Sequence, residues 1–277
     1  MSSFGLTNCF SIFLASYLSN RSQYVYHRGF KSYNFEATSG VPQGSNLGPL
    51  LFLIFINDLS QKLTCEHLLY ADDLKIFSSV NNTEDCVLIQ HNLDVLESWC
   101  SENNLNLNAS KCKIMCFSRK QHPINFEYKI SNAVLDMTEL FKDLGVWFAP
   151  RLSFSSHIDM KAAEASKFYG FIVRNCKSFS NLNTLKLLYF SYVRSRLEYA
   201  ALVWKPYYNN KKTAIENVQR RFLKYLHMKV TGSYPDRGVC ETFLCDRFDV
   251  TCLDLRRAQM SLVFLFNLVH NVIDCEI

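Results

Sequence analysis

The sequence is poor in the features that mark membrane, metal-clipped or repeat proteins. No apolar run approaches the ~20 residues of a membrane span; the longest are Leu47–Ile56 and Leu262–Phe266. Its eleven cysteines contain no Cys-x-x-Cys pair. Cys240 and Cys245 are separated by four residues and have no paired histidines downstream, so a zinc site is not expected. The seven histidines show no ligand spacing. Met1–Leu6 carries no basic residue ahead of its apolar stretch, which argues against a secretory signal. The thiols are therefore expected to be reduced inside the cell, with nucleus and cytoplasm both open. There is no low-complexity segment and no internal repeat.

What is present suits a folded chain. Of 277 residues, 48% are apolar and 14% aromatic, enough for one large or two modest domains. The net charge of +5 is a mild basic bias, compatible with a nucleic-acid partner without requiring one.

Tyr70-Ala71-Asp72-Asp73 sits between two short β-prone runs, His67–Leu69 and Leu74–Phe77. This reads as a hairpin with carboxylates at its tip. Adjacent acids repel unless a cation neutralises them. Mg²⁺ takes few carboxylates together with phosphate oxygens, and such a tip suits it. The dipeptide alone reads equally as a solvated turn.

Upstream, residues 39–59 hold three of the nine glycines and two of the six prolines. Ser39-Gly40-Val41-Pro42-Gln43-Gly44-Ser45 runs straight into Leu47–Ile56. That pattern is a stiff turn feeding a buried helix. Gly44 lets another molecule approach the backbone, Pro42 stiffens the loop, and the Gln43 amide both donates and accepts.

Periodicity predicts a helix over residues 6–25 ending near Ser19–Arg21, and short strands at Tyr24–Tyr26 and Tyr33–Phe35. A helix N-capped by Thr83 follows, with Ile89, Leu93, Leu96 and Cys100 on one face. Ile114–Phe117, Ile124–Ile130 and Leu140–Phe148 read as strands. Beyond Pro150 the helical period dominates, at 158–172, 185–200, 215–226 and 252–269. The expected fold is α+β: an antiparallel sheet with packed helices, then an α-helical bundle, with a boundary near residue 150.

Several further short blocks accompany these two: Trp99-Cys100 with Asn106-Leu107-Asn108 and Lys111-Cys112, Phe141–Val146, Leu197–Ala200 with Trp204–Tyr207, and Glu216–Phe222. In this order and spacing, over nearly the whole chain, they resemble the reverse transcriptase domain of jockey-like non-LTR retrotransposons. The resemblance implies a polymerase palm followed by a thumb-like bundle. Residues 1–38 would be a residual fingers and palm segment, 39–150 the palm and 151–277 the thumb-like region. It implies RNA-directed DNA polymerisation, a nucleotidyl transfer to a primer 3′-hydroxyl. The partners implied are an RNA template, a DNA primer and deoxynucleoside triphosphates, with no membrane. Two Mg²⁺ ions are expected, Mn²⁺ being a possible substitute.

Residue by residue, the resemblance makes Asp72 and Asp73 catalytic metal ligands, and Pro42, Gln43, Gly44 and Lys111 the nucleotide and template contacts. Phe141, Leu144 and Gly145 match a primer-grip hairpin. Lys111 reads equally as a surface lysine, and Phe141–Val146 equally as a buried strand with a bend. Lys211, Lys212, Arg220, Arg221 and Lys224 cluster on and before one helix, as a phosphate-contacting stripe or as a solvated face. The family carries a further carboxylate on a strand ahead of Gly5-Leu6, which would precede Met1. The expectation is a domain truncated at its N-terminus, with little polymerisation from this chain alone. The alternative is a retrotransposon remnant that binds nucleic acid without polymerising.

Overall fold

The computed structural model of the protein describes residues 8–118, 120, 124–236 and 238–273. Leu6, most of the turn between Phe117 and Ile124, and Cys275 lie outside the described residues. The chain divides into two compact units, residues 1–112 with 124–135, and 113–123 with 136–277. The hairpin of residues 141–148 thus belongs to the unit that carries the later helices.

In the first unit, α1 (Asn8–Leu18) leads into β1 (Ser22–Gln23), β2 (Tyr26–His27), β3 (Phe30–Lys31) and β4 (Phe35–Glu36). The two strands read from the sequence become four short ones. Arg28 (φ 48°) and Gly29 (φ 88°) take the left-handed pair that a two-residue hairpin loop requires, folding β2 onto β3. β1 pairs with β4 below them.

Next come α2 (Leu47–Ile56), α3 (Leu59–Lys62), β5 (Glu66–Tyr70), β6 (Asp73–Phe77) and α4 (Thr83–Glu102). Asn82, not Thr83, caps α4: its side chain accepts from Asp85 N–H, and Asp85 returns a bond to Asn82 N–H. Thr83 is the first helical residue because Asn82 already holds the extended backbone of a cap. Ile56, Leu59, Leu63, Leu96, Trp99 and Cys100 form the core of this unit, with Leu69, Leu74 and Ile76 of the hairpin against it. Helix α2 is less covered than its sequence implies. It buries Gly48, Leu51 and Ile56 but exposes Leu50, Leu53 and Phe55, because the core reaches only one of its faces.

The expected antiparallel sheet is not continuous. Among the described residues the strands form six separate two-stranded ribbons. One of them, Lys113–Ile114 with Asp136–Met137, is parallel. Most strands are two or three residues long, too short to build a wide sheet.

The second unit is mainly helical: α5 (Ser155–Asn175), α6 (Leu182–Tyr189), α7 (Ser195–Glu198), α8 (Ala201–Trp204), α9 (Asn209–Thr231), α10 (Glu241–Phe248) and α11 (Leu253–Val269). A π-helical segment, Phe190–Arg194, joins α6 to α7. Helix α10 was absent from the sequence reading, since eight residues give barely two turns of period. Ile158, Ala165, Leu185, Val193, Leu197, Trp204, Phe222 and Leu226 belong to one core. The Tyr189 and Phe222 rings stack at 4.0 Å within it.

Buried polar groups lock the helices of this core. Tyr189 Oη donates to Gln219 Oε1 (3.1 Å), and Gln219 Nε2 donates to the Thr251 carbonyl (3.0 Å). Arg257, only 1% exposed, donates to Glu216 Oε1 at 2.8 Å. The other Glu216 oxygen accepts from Leu253 N–H at the start of α11. Burial raises the Glu216 carboxyl pKa, with Arg257 opposing it.

His157 is also buried. Its Nδ1 accepts from Trp147 N–H (3.2 Å), and its ring packs on Trp204. Burial, helped by Lys161, lowers its pKa from 6.5 to about 4. A depressed histidine pKa means that the unfolded chain binds the extra proton between these values. This contribution to stability is therefore whole above pH 6.5 and is lost as pH falls towards 4. The loss should be on the order of 3 kcal/mol. Urea unfolding of the wild-type chain across this range should show it, and His157→Gln should flatten the dependence.

Candidate active site

Strand β5 pairs with β6 in the register Glu66↔Phe77 through Tyr70↔Asp73. Only Ala71 and Asp72 remain for the loop. His67 and Leu69 face Ile76 and Leu74 on the half-buried side, while Leu68 and Tyr70 point to solvent. The hairpin read from the sequence is therefore present, with Asp72 in the loop and Asp73 opening β6. Both carboxylates are exposed, and among the described residues neither side chain has a hydrogen-bond or ion-pair partner. Ala71 sits at φ 53°, a left-handed conformation that costs a non-glycine residue about 1 kcal/mol.

Asn92 anchors this hairpin and was missed by the sequence reading. It is 1% exposed on α4. Its Oδ1 accepts from Thr64 N–H (2.7 Å) and Cys65 N–H (3.1 Å), and its Nδ2 donates to Leu88 O and Thr64 Oγ1, both at 2.9 Å. One amide thus ties the residues that enter β5 to the helix behind. An asparagine amid the apolar face of α4 was the available signal.

The Gly/Pro loop is ordered by its own turn. Ser45 N–H donates to the Pro42 carbonyl (3.2 Å), and Gly44 stands at φ 81°. Positive φ at the third residue defines a type II turn and explains the glycine, since a Cβ there would meet nothing within 4 Å. Ser45 Oγ accepts from Gly48 N–H in the first turn of α2. Arg21, a second residue missed in the sequence, donates to the Ser39 (2.9 Å) and Gly40 (2.6 Å) carbonyls and to Leu18 O at the end of α1. It fixes the root of the loop. Pro42 is half-buried, while Gln43 and Gly44 are exposed. Lys111 ends a single 3₁₀ turn, Ala109–Lys111, with an exposed ammonium that has no partner among the described residues. No hydrogen bond among the described residues joins the loop, the carboxylate tip and Lys111.

The remaining positions lie in the second unit. Phe141–Asp143 and Val146–Phe148 pair around Leu144 (φ 42°) and Gly145 (φ 86°). Phe141 and Leu144 are part-exposed, so this is a bent surface hairpin and not a buried strand. Tyr199 Oη donates to the Leu144 carbonyl (2.8 Å), and a Cβ on Gly145 would lie 3.0 Å from the Tyr199 ring. Two blocks far apart in the sequence therefore meet here.

The basic stripe is partly spent on internal pairs. Lys211 bonds Asp159 at 2.6 Å, and Arg220 forms a fork with Glu241 (2.6 and 3.0 Å). Arg221 donates to Ser166 Oγ and Asn217 O. Lys212 and Lys224 alone of the five have no partner among the described residues. Arg220, Arg221 and Lys224 line one groove on α9 with Ala214 and Asn217.

Residues 3–172, most of the chain, match the family described as reverse transcriptase (RNA-dependent DNA polymerase). The chain belongs to the reverse transcriptase family. It is 32% identical over 156 residues to the probable RNA-directed DNA polymerase from transposon BS of Drosophila melanogaster, covering 52% of this chain and 17% of that protein. It is 28% identical over 152 residues to the RNA-directed DNA polymerase from mobile element jockey of the same fly, covering 52% and 16%. The probable RNA-directed DNA polymerase from transposon X-element is 29% identical over 202 residues, covering 69% and 22%. The chain thus spans at most about a fifth of these relatives' length. No solved structure matches it. This reverse transcriptase domain is of the non-LTR retrotransposon type, and none of its described helices is long and apolar enough to cross a membrane.

Replacing Asn92 leaves the Thr64 and Cys65 N–H groups without their acceptor, the second of them buried. Asn92→Ala should cost about 2–3 kcal/mol of stability, read as a lowered urea midpoint. Hydrogen exchange should accelerate first in β5.

Proposed function

We propose that this chain contributes the carboxylate hairpin and nucleotide loop of RNA-directed DNA synthesis, with a primer 3′-hydroxyl as acceptor and deoxynucleoside triphosphates as donors. The reading rests on one observation above all: two adjacent, unpartnered carboxylates at a two-residue tip, within the segment that matches the family. On this reading the first unit is palm-like and the helices of the second are thumb-like.

The donor set fits Mg²⁺, which binds through one or two carboxylates and takes its remaining oxygens from phosphates and water. Asp72 and Asp73 would hold it. When bound, the ion neutralises triphosphate charge and lowers the pKa of the primer hydroxyl. The chain's own residues do the positioning. The Pro42–Ser45 turn presents the Gln43 amide and a bare Gly44 backbone to a nucleotide. Lys111 offers a free cation to the triphosphate. The hairpin of residues 141–148, pinned by Tyr199, offers a rigid edge to the primer, and Lys212, Arg221 and Lys224 offer charge to backbone phosphates.

The rival reading is nucleic-acid binding without polymerisation. It is favoured by the groove on α9, where Lys224, unpaired among the described residues, stands beside Arg220 and Arg221. Primer extension on a homopolymer RNA template separates the two. Under the first reading, Asp72→Asn lowers extension on the order of a thousandfold and leaves duplex affinity in place. Duplex binding with no extension at all, in either form, supports the second.

Duplex binding itself should be salt-dependent through three cations and not five, since Arg221 meets only neutral partners and keeps its charge. Counterion release gives a log–log slope of about −0.9 per phosphate contact, so roughly −3 is expected. Lys212→Ala, Arg221→Ala and Lys224→Ala should each flatten it by about one unit. Lys211→Ala and Arg220→Ala should leave it unchanged, because both side chains are already paired.

A further inference from the structure

The β2–β3 ribbon has no part in the proposed chemistry, and its surface is unusual. From Met1 to Phe35 the sequence contains no Asp or Glu; Glu36 is the first. The same stretch carries cations at Arg28 and Lys31 and a run of aromatics. In the fold the rings of the ribbon and its flanks are largely exposed: Tyr24, over whose ring Lys31 sits, is 52% exposed, Tyr26 68%, Phe30 82% and Tyr33 86%. So many open rings on one short ribbon mark a binding surface and not ordinary solvent-facing scatter.

The geometry orders these groups. Tyr26 lies opposite Lys31, and His27 opposite Phe30, so the two pairs take opposite faces. Val25 and Ser32 extend the pairing by two bonds of 2.9 Å. Lys31 Nζ stands 4.0 Å from the centre of the Tyr24 ring. Tyr24, Tyr26 and Lys31 therefore share one face, and the two tyrosines, two residues apart, are spaced roughly 6.8 Å along it. Arg28 projects from the exposed tip. Arg21 is not part of the surface, since its guanidinium is held by backbone carbonyls.

Rings at this interval with cations between them are the elements of a single-strand platform, where bases stack on aromatic faces and phosphates meet positive charge. An ordinary protein partner would have to bury these cations with no carboxylate on the ribbon to balance them. A polyanion supplies the balance itself. We propose that the β2–β3 ribbon binds single-stranded RNA, with Tyr24 and Tyr26 stacking on bases and Arg28 and Lys31 contacting phosphates. The choice of RNA rests on the proposed function, in which the strand not yet paired is the RNA template; the residues are different ones.

The test is fluorescence anisotropy of the 277-residue chain with a labelled oligouridylate, a single-stranded DNA of the same length and an RNA–DNA hybrid duplex. The doubly substituted Tyr24→Leu, Tyr26→Leu chain should bind the oligouridylate roughly 25-fold more weakly, two stacked bases being lost. Tyr24→Phe with Tyr26→Phe should retain affinity within about twofold, because stacking needs the ring and not the hydroxyl. Should the leucine pair disturb folding by circular dichroism, Arg28→Glu with Lys31→Glu is the second variant and should abolish RNA binding. Hybrid-duplex affinity should be unaffected by either pair. Oligouridylate affinity unchanged in both pairs, or tighter binding of single-stranded DNA or of duplex than of RNA, overturns the proposal. Unchanged RNA binding alongside Asp72-dependent extension would remove the ribbon while leaving the proposed function standing. Loss of RNA binding without any extension would do the reverse.

Discussion

A two-residue loop is the shortest reversal an antiparallel pair allows, and it leaves its residues no place to turn but outward. The pairing of Tyr70 with Asp73 imposes that loop here. Once it is imposed, strand alternation sends His67, Leu69, Leu74 and Ile76 towards α4 and puts both acids at the far end. The repulsion between two carboxylates is tolerable at such a tip because water reaches both. It would not be tolerable a few residues further down, where the hairpin meets Trp99 and Leu96. The position of the acids is therefore a result of register, and register is a result of the apolar residues that never touch a substrate.

The supports behind the exposed groups are polar side chains, of which Asn92 is buried. Asn92 satisfies backbone donors at the entrance to β5, and Arg21 collects carbonyls at the root of the glycine loop. In the second unit Tyr199 performs the same service for the turn at Leu144. Each is a single side chain joining segments remote in sequence, which is economical for a small unit whose strands are too short to stiffen one another. The Glu216–Arg257 pair serves the helices similarly. Its carboxylate both neutralises a buried guanidinium and caps α11, so removal of either partner would strand a charge.

The hairpin, the glycine loop, the long helices α4, α5 and α9 and the family were legible in the sequence, because each rests on local pattern: alternation, Gly/Pro punctuation or a sustained helical period. What was not legible depends on distant partners. The stripe on α9 looked like five available cations, yet Asp159 and Glu241, tens of residues away, take two of them and Ser166 engages a third. Thr83 lost the cap of α4 to Asn82, a one-residue difference that propensity alone does not resolve. The discontinuous ribbons were read as longer strands because apolar content does not report where pairing stops. Arg28-Gly29 shows the opposite failure, a turn hidden inside what read as a single loop.

The π-helical segment Phe190–Arg194 has a consequence for how this domain tolerates change in length. A π turn holds one residue more than the α-helix around it, so the chain between α6 and α7 carries a surplus residue. Deleting a single residue there would restore an ordinary helix and leave the residues beyond it in nearly the same register. Elsewhere in a helix a one-residue deletion rotates everything beyond it by about 100°. In this segment Glu198 would still face Arg256, and Tyr199 would still reach Leu144. The irregular turn is thus a place where the chain can lose a residue without uncoupling the hairpin of residues 141–148 from its anchor.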